Sequence, residues 1–292
     1  MANQNNETPP FSVLPEDCIA VILSFTSPKD ACRAAAVSKA FRSAANSDNL
    51  WERFLPSDYK IIIGRSVSPV TYSSRKELYL MLCDSPLLVD EGKMSIGLRK
   101  PSGTKCYMLC ARQLRMAWKD DRRYWKWTSL QESRFSEVAE LKRLTWLEIH
   151  GIMQAQMLPP NTNYTAYLVF KLTKHHYGLD CSSKAIINFE ESRDEIGEGE
   201  TSSVYIVPQG SSRRVPIRHV DGRVSQNRFD GWMEIELGSF FVNGEEGYFH
   251  YIHMRLLSMY GWKKGLIVEG IEVRPKEVVE LDLKRGQTSF KT

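Results

Sequence analysis

The chain has 292 residues, 42% hydrophobic and 25% charged, with a formal net charge of +4. That length accommodates two domains, and the composition is that of a soluble globular protein. No apolar run reaches the length of a membrane span, and so mild a positive charge gives no argument for nucleic acid or a membrane surface as partner.

Residues 1–10, MANQNNETPP, are polar, are expected to be disordered, and lack the apolar core of a secretory signal. Residues 11–55 then read as short helices. Leu14-Pro15-Glu16-Asp17 is a helix start, with Pro15 suited to the first helical position and two acids at the positive end of the dipole. Ile19, Ile22 and Leu23 recur at helical spacing, and Val21 and Phe25 add apolar surface on a neighbouring face. Ser27-Pro28-Lys29-Asp30 starts a second helix with Ser27 as N-cap, and Ser38 begins a third. So few residues rarely supply a self-sufficient core, and the surplus apolar surface implies a partner.

Leu14-Pro15, then Val37-Ser38-Lys39-Ala40-Phe41-Arg42 and Leu50-Trp51 in that order, resemble an F-box. The resemblance implies docking on a Skp-type adaptor and through it on a cullin-RING ubiquitin ligase. The expected adaptor contacts are Leu14, Pro15, Ile19, Ile22 and Leu23.

Residues 56–92 form a connecting region. Within it Ser74-Arg75-Lys76-Glu77 is a capping box for a helix through Leu78 and Leu82, which Pro86 stops. This region is expected to pack the first domain onto the second. From 93 to 283 the pattern changes to strands and turns, and 284–292 is expected to fray. Lys100–Thr104 is a turn; Tyr164 to Thr173 alternates, as do Ala185-Ile187-Phe189 and Ile252-Met254-Leu256. In Trp232–Leu237, Met233, Ile235 and Leu237 are expected to face in and Glu234 and Glu236 to face water. The fold class is therefore α+β and multidomain: a helical N-terminal unit, then an antiparallel β-sandwich.

Trp118, Trp125 and Trp127 lie with Tyr124 in one short charged stretch. Three readings fit it. Flat indoles can cover the C–H face of a sugar while Asp120, Asp121 or Arg122 bonds its hydroxyls. The rings can stack on bases beside Lys119, Arg122 and Arg123, or they can simply fill a core.

Ala111-Arg112, Trp118 through Trp127, Val138–Leu141, Trp146–Ile149, Asp230–Trp232, Glu236–Gly238 and Gly265 through Pro275 together resemble the phloem-lectin, or Nictaba, domain of plants. That resemblance implies a lectin-type, jelly-roll-like sandwich. It also implies binding of N-acetylglucosamine-containing or related glycans through Trp118 and Trp125, with Trp146 and Trp232 packed inside. Two features depart from the lectin branch. Pro208–Arg214 carries only Arg213 and Arg214 where a nuclear-localisation run is expected, and Tyr251 and His253 replace acidic residues.

The expected function is the substrate-receiving subunit of a ubiquitin ligase, with glycosylated or protein targets. The alternatives are a free carbohydrate-binding lectin and a protein-interaction module outside any ligase. The six cysteines are scattered, which suits reduced thiols in the cytoplasm and nucleus. No metal or cofactor is expected. Catalysis is not expected either: His175 and His176 lack partners at metal spacing, and Glu234 and Glu236, though on one strand face, read as solvated acids rather than a glycosidase pair. The stretch Glu190–Glu200 reads as a solvated charged loop.

Overall fold

The computed structural model describes residues 14–195, 197–207, 222–244 and 251–276. Residues 1–10 and 284–292, whose disorder and fraying are expectations from sequence, and the Arg213-Arg214 segment lie outside these residues.

Among the described residues six short helices come first, ahead of the strands: α1 (Glu16–Ser24), α2 (Pro28–Ala34), α3 (Lys39–Ala44), α4 (Asp48–Phe54), α5 (Tyr59–Gly64) and α6 (Arg75–Asp84). Local capping decides where most of them begin. The hydroxyls of Ser27, Ser38, Ser47 and Ser74 each accept the backbone N–H three residues on, satisfying a donor that the helix leaves unpaired. Pro15 occupies the cap position of α1, one residue earlier than its preferred place. Two helices are unpredicted: α4, which starts at its own cap Ser47, and α5, which the break at Pro56 conceals.

Ile19, Leu23, Leu50, Trp51, Tyr59, Leu78, Tyr79 and Leu82 form one buried cluster. The indole of Trp51 donates to the Ala45 carbonyl at 2.8 Å, so the ring is buried with its polar atom satisfied. Since α6 supplies Leu78, Tyr79 and Leu82, the connecting region completes the core that residues 11–55 cannot close alone.

Fifteen strands follow: β1 (Leu87–Val89), β2 (Met94–Leu98), β3 (Lys105–Cys110), β4 (Arg115–Met116), β5 (Trp125–Thr128), β6 (Val138–Leu141), β7 (Leu147–Gln154), β8 (Thr162–Tyr177), β9 (Ser183–Glu190), β10 (Glu200–Tyr205), β11 (Arg223–Val224), β12 (Gln226–Asn227), β13 (Met233–Val242), β14 (Tyr251–Ser258) and β15 (Lys264–Pro275). One sheet has the order β1-β2-β3-β15-β8-β13-β12, with β6 beside β15 and β5 beside β6; the other runs β11-β10-β9-β14-β7-β4. All pairings are antiparallel except β10 with β11.

The inward residues of both sheets meet in one apolar cluster. Leu168, Phe170 and Ile271 come from the first sheet; Ile149, Met254 and Leu256 come from the second. The sheets approach so closely at Gly238 that a Cβ there would lie 2.6 Å from Cγ1 of Ile187. The helical unit joins this body through Leu98 of β2, which is buried in the helical cluster. The Tyr79 hydroxyl donates to the Lys100 carbonyl at 3.0 Å, and Lys105 pairs with Asp58 at 2.9 Å across the same junction.

Glu234 does not face water. It is 8% exposed, because Arg228 and Arg274 reach it from the turn before β13 and from β15. A side chain alternating outward on a strand meets solvent only if nothing covers that face.

Gly270 sets the pairing of β3 with β15. A Cβ at this position would fall on the Leu109 carbonyl oxygen, a backbone atom that cannot move aside. Gly270→Ala should therefore destabilise the chain by about 1–3 kcal/mol in urea unfolding, the usual cost of overpacking. An unchanged midpoint would show that the close approach is not needed.

Candidate functional site

Two surfaces carry exposed side chains that a folded chain has no internal reason to expose. The first is on the helices. Ile19 is fully buried and Leu23 is 4% exposed, so neither can meet a partner; both must be removed from the expected contact set. They lie four residues apart, on the face of α1 that packs against α3 and α4. Leu14, Pro15 and Ile22 are exposed, and sequence reasoning undervalued their neighbours: Val21 is exposed, Phe25 is 82% exposed and Val37 is 72% exposed. The signal was present in the spacing, since Val21 and Phe25 fall off the Ile19–Leu23 stripe.

The second surface is built on the aromatic loop. Trp125 is 1% exposed and opens β5 opposite Leu141, with its indole donating to the Ala117 carbonyl at 3.0 Å. It is a core residue, so its expected sugar contact is overturned. Trp127 donates to the Lys119 carbonyl at 3.2 Å, and the Arg112 guanidinium lies 3.6 Å over its ring. These two indole bonds fasten the loop to β5 and turn Trp118 outward, 54% exposed and with φ of +54°. Tyr124 lies 5.5 Å from the Trp118 ring.

Arg115, Lys119, Asp120 and Asp121 surround Trp118 in a shallow cleft of about 600 Å³. Asp120 and Arg122 are exposed. Asp121 is occupied by Arg123 at 2.6 Å, a pairing that holds its carboxyl below the usual range. Of the expected polar contacts, Asp120 and Arg122 are the ones left open.

The adjoining loops are stitched to this one. Lys142 donates its backbone N–H to Tyr124 at 2.8 Å and its ammonium to the Arg122 carbonyl at 3.0 Å. Leu144 and Lys263 exchange backbone bonds at 2.9 and 2.8 Å. The Lys263 ammonium, buried, donates to the carbonyls of Thr145, Tyr260 and Gly261 at 2.9, 2.6 and 2.9 Å. Burial pushes its pKa down, and three carbonyl partners offset the desolvation.

At this stitched end Trp146, Tyr260 and Trp262 are all exposed, beside Tyr177, which pairs with Lys264. Trp146 was expected inside; it precedes the first residue of β7 and points away from the core. Tyr260 and Trp262 were missed because a turn has no periodicity to read. Their one sequence signal is two large rings flanking a glycine.

Trp232 is 1% exposed, as expected, but in a separate cluster with Phe135 and Val169 rather than in the core shared by the sheets; its indole donates to the Glu132 carbonyl at 3.1 Å.

The outer face of the six-stranded sheet is closed rather than receptive. His253 is fully buried, its Nδ1 3.0 Å from Nε2 of His150. The segment after β9 lies over them: Arg255 donates to the Gly197 carbonyl at 2.8 Å, and Asp194 pairs with Arg115 at 2.5 Å. Glu190–Glu200 is thus not merely a solvated loop. Burial, with the neighbouring His253 and Arg255, pushes His150 down to about 3, and burial lowers His253 as well.

On the other sheet Arg228 bridges Glu234 and Glu272 at 2.9 and 2.6 Å, and Arg274 bridges the same pair at 2.5 and 3.1 Å. Burial alone would raise Glu272, but Arg228 and Arg134 hold it below the ordinary carboxylate range. Glu234 and Glu272 therefore have fixed ionic partners, an arrangement that does not suit proton transfer.

Residues 104–275 match the family model described as Phloem protein 2, and residues 11–57 match the one described as F-box-like. The F-box protein PP2-B10 of Arabidopsis thaliana is 42% identical, over 94% of this chain and 97% of its own length. The F-box protein PP2-B15 of the same plant is 41% identical, over 90% of this chain and 96% of its own. Among solved structures, a family 35 carbohydrate binding module from Clostridium thermocellum is 9% identical with a TM-score of 0.32, covering 57% of this chain and 96% of that one.

The histidine pair predicts an acid sensitivity. An unfolded imidazole takes a proton near 6.5, whereas folded His150 resists it down to about 3, so the unfolded chain binds more protons in that window. Stability should fall as pH drops below 6.5, and urea midpoints at pH 7.5, 6.5 and 5.5 will read it above most carboxylate titration. His150→Gln should flatten the slope; the same slope in both proteins would exclude the pair as its source.

Proposed function

The chain belongs to the family of F-box proteins that carry a phloem protein 2 domain, and we propose that it is the substrate-receiving subunit of a cullin-RING ubiquitin ligase. The observation that carries this reading is the apolar face left uncovered on the helices: Leu14, Pro15, Ile22, Phe25 and Val37, above a core that is already closed by α6. A Skp-type adaptor would cover that face. We assign residues 11–55 to the F-box, 56–92 to the connection and 93–283 to a jelly-roll-like sandwich of lectin type. The chain supplies proximity rather than chemistry, holding a target near the ubiquitin carrier. Its place of action is the cytoplasm and the nucleus.

For target capture we propose a glycan held at the aromatic end, with Trp118 as the stacking ring and Asp120 and Arg122 as hydroxyl partners. Trp146, Tyr260 and Trp262 extend the platform. Exposed indoles on loops fixed by Lys263 favour this reading, since rings already held in place lose little freedom when a sugar face covers them. A protein surface is the second occupant of the same end, supported by the same rings.

The ligase reading is tested by adaptor co-purification. Ile22→Asp with Phe25→Asp should abolish capture at an unchanged melting temperature. Ile19→Ala should instead cost about 2–5 kcal/mol of stability, as core truncations do. Full adaptor binding by the double variant would end the assignment.

Glycan arrays test the other surface. Trp118→Ala and Trp262→Ala should lose glycan binding while melting nearly as the parent does. Trp125→Ala should destabilise by roughly 3–5 kcal/mol. If the parent binds a protein target and no glycan, the second occupant is the right one.

A further inference from the structure

A groove of about 500 Å³ lies where the helical unit meets the turn between β2 and β3. Its lining includes the rings of Trp51 and Tyr79, themselves shielded from solvent, with Pro28, Leu80 and Pro101. Cys32, exposed, also lines it. That volume is within the range of about 300–1,000 Å³ typical of small-molecule sites, and junctions between folded units are where such sites concentrate.

The charged side chains that line it have one sign. Lys29, Arg33 and Lys100 line the groove and no acidic residue does. Arg33 pairs with Asp30 at 3.2 Å and Lys100 with Asp84 at 3.0 Å, but both pairs are solvent-exposed and therefore cheap to rearrange. Lys29 has no hydrogen bond or ion pair among the described residues. An apolar interior with a cationic mouth suits a ligand of matching polarity.

We propose that this groove binds a small apolar carboxylic acid, its hydrocarbon body against Leu80 and Pro101 and its carboxylate between Lys29 and Lys100. Such a ligand touches α2 and α6 on one side and the Lys100-Pro101 turn on the other. It therefore binds only while the helical unit is seated on the sheet, and occupancy stabilises that seating by mass action. The site is separate from the apolar helical face and from the aromatic end, and it stands whether or not either of those readings holds.

Calorimetry on the full chain with 4-phenylbutyrate, 4-phenylbutanol and acetate tests the proposal. The phenyl acid should bind saturably at one site with a dissociation constant of roughly 0.1–1 mM, as expected for a ligand of that size. The neutral alcohol should bind about tenfold more weakly, the worth of one charge-assisted contact, and acetate should not bind. Cys32→Trp, which fills the groove from an exposed position, should abolish binding. Lys29→Glu, a surface change that leaves the packing alone, should weaken the acid and leave the alcohol unaffected. Bound acid should also slow alkylation of Cys32, read by mass spectrometry, without slowing that of Cys18 or Cys181. No saturable binding, equal affinity for acid and alcohol, or binding indifferent to Lys29→Glu would each overturn the proposal.

Discussion

The pairing of β15 with β3 and β8 holds the rest together. β15 is the last strand described, yet it sits in the middle of the nine-stranded sheet: β8 on one side, β3 and β6 on the other. Among the described residues, the ladder of β1 to β3, to which the helices are anchored through Leu98, is continued into the remaining sheet by this strand. Sequence-distant pairing of this kind pays its loop-closure entropy before any contact rewards it, which makes formation of this sheet a slow, cooperative step. The same arrangement explains the close fit at Gly270. A strand inserted between two existing partners leaves no free side on which a substituent can be accommodated.

The polar economy of the β-rich domain follows from which faces are covered. Arg228, Arg274 and Arg134 surround Glu234 and Glu272 on the outer face of the nine-stranded sheet, where an apolar patch of the same volume would be as stable or more so. What the ions add is direction: the guanidinium groups of Arg228 and Arg274 are each held by both carboxylates, and Arg274 is held 3.8 Å over the Tyr167 ring. Lys263 does the equivalent task at the aromatic end with carbonyls instead of carboxylates. A neutral side chain there would leave three carbonyls without their shared donor, and the Tyr260–Trp262 turn would lose its anchor to Thr145.

What the sequence revealed and what it hid divide along the range of the forces involved. Ser27, Ser38 and Ser74 were legible as caps because capping is settled within three residues. The inward set Ile252, Met254 and Leu256 was legible because strand alternation needs only neighbours. Glu234 was misread because its partners, Arg228 and Arg274, come from a turn and from β15. The two tryptophans of the aromatic loop could not be told apart by type or spacing. Trp125 is inside because β5 pairs with β6 at Leu141, and Trp118 is outside because the loop ahead of that strand is tied down at Ala117 and Lys119. Lys263, in a turn of mixed polarity, resembled any surface lysine; only the folded chain shows three carbonyls around it.

The junction between the two units has the same consequence for whatever the chain carries. Leu98 is buried among helical side chains, Tyr79 bonds the Lys100 carbonyl, and Lys105 pairs with Asp58, so the connection is a packed interface rather than a linker. A flexible tether would let a captured target sample a large volume, diluting the effective concentration that proximity provides. A packed junction instead fixes the distance from the helical face to the aromatic end, so which residues of a target come within reach is set by the shape of this chain. In the receptor role proposed above, that fixed geometry would be the contribution the chain makes to the rate.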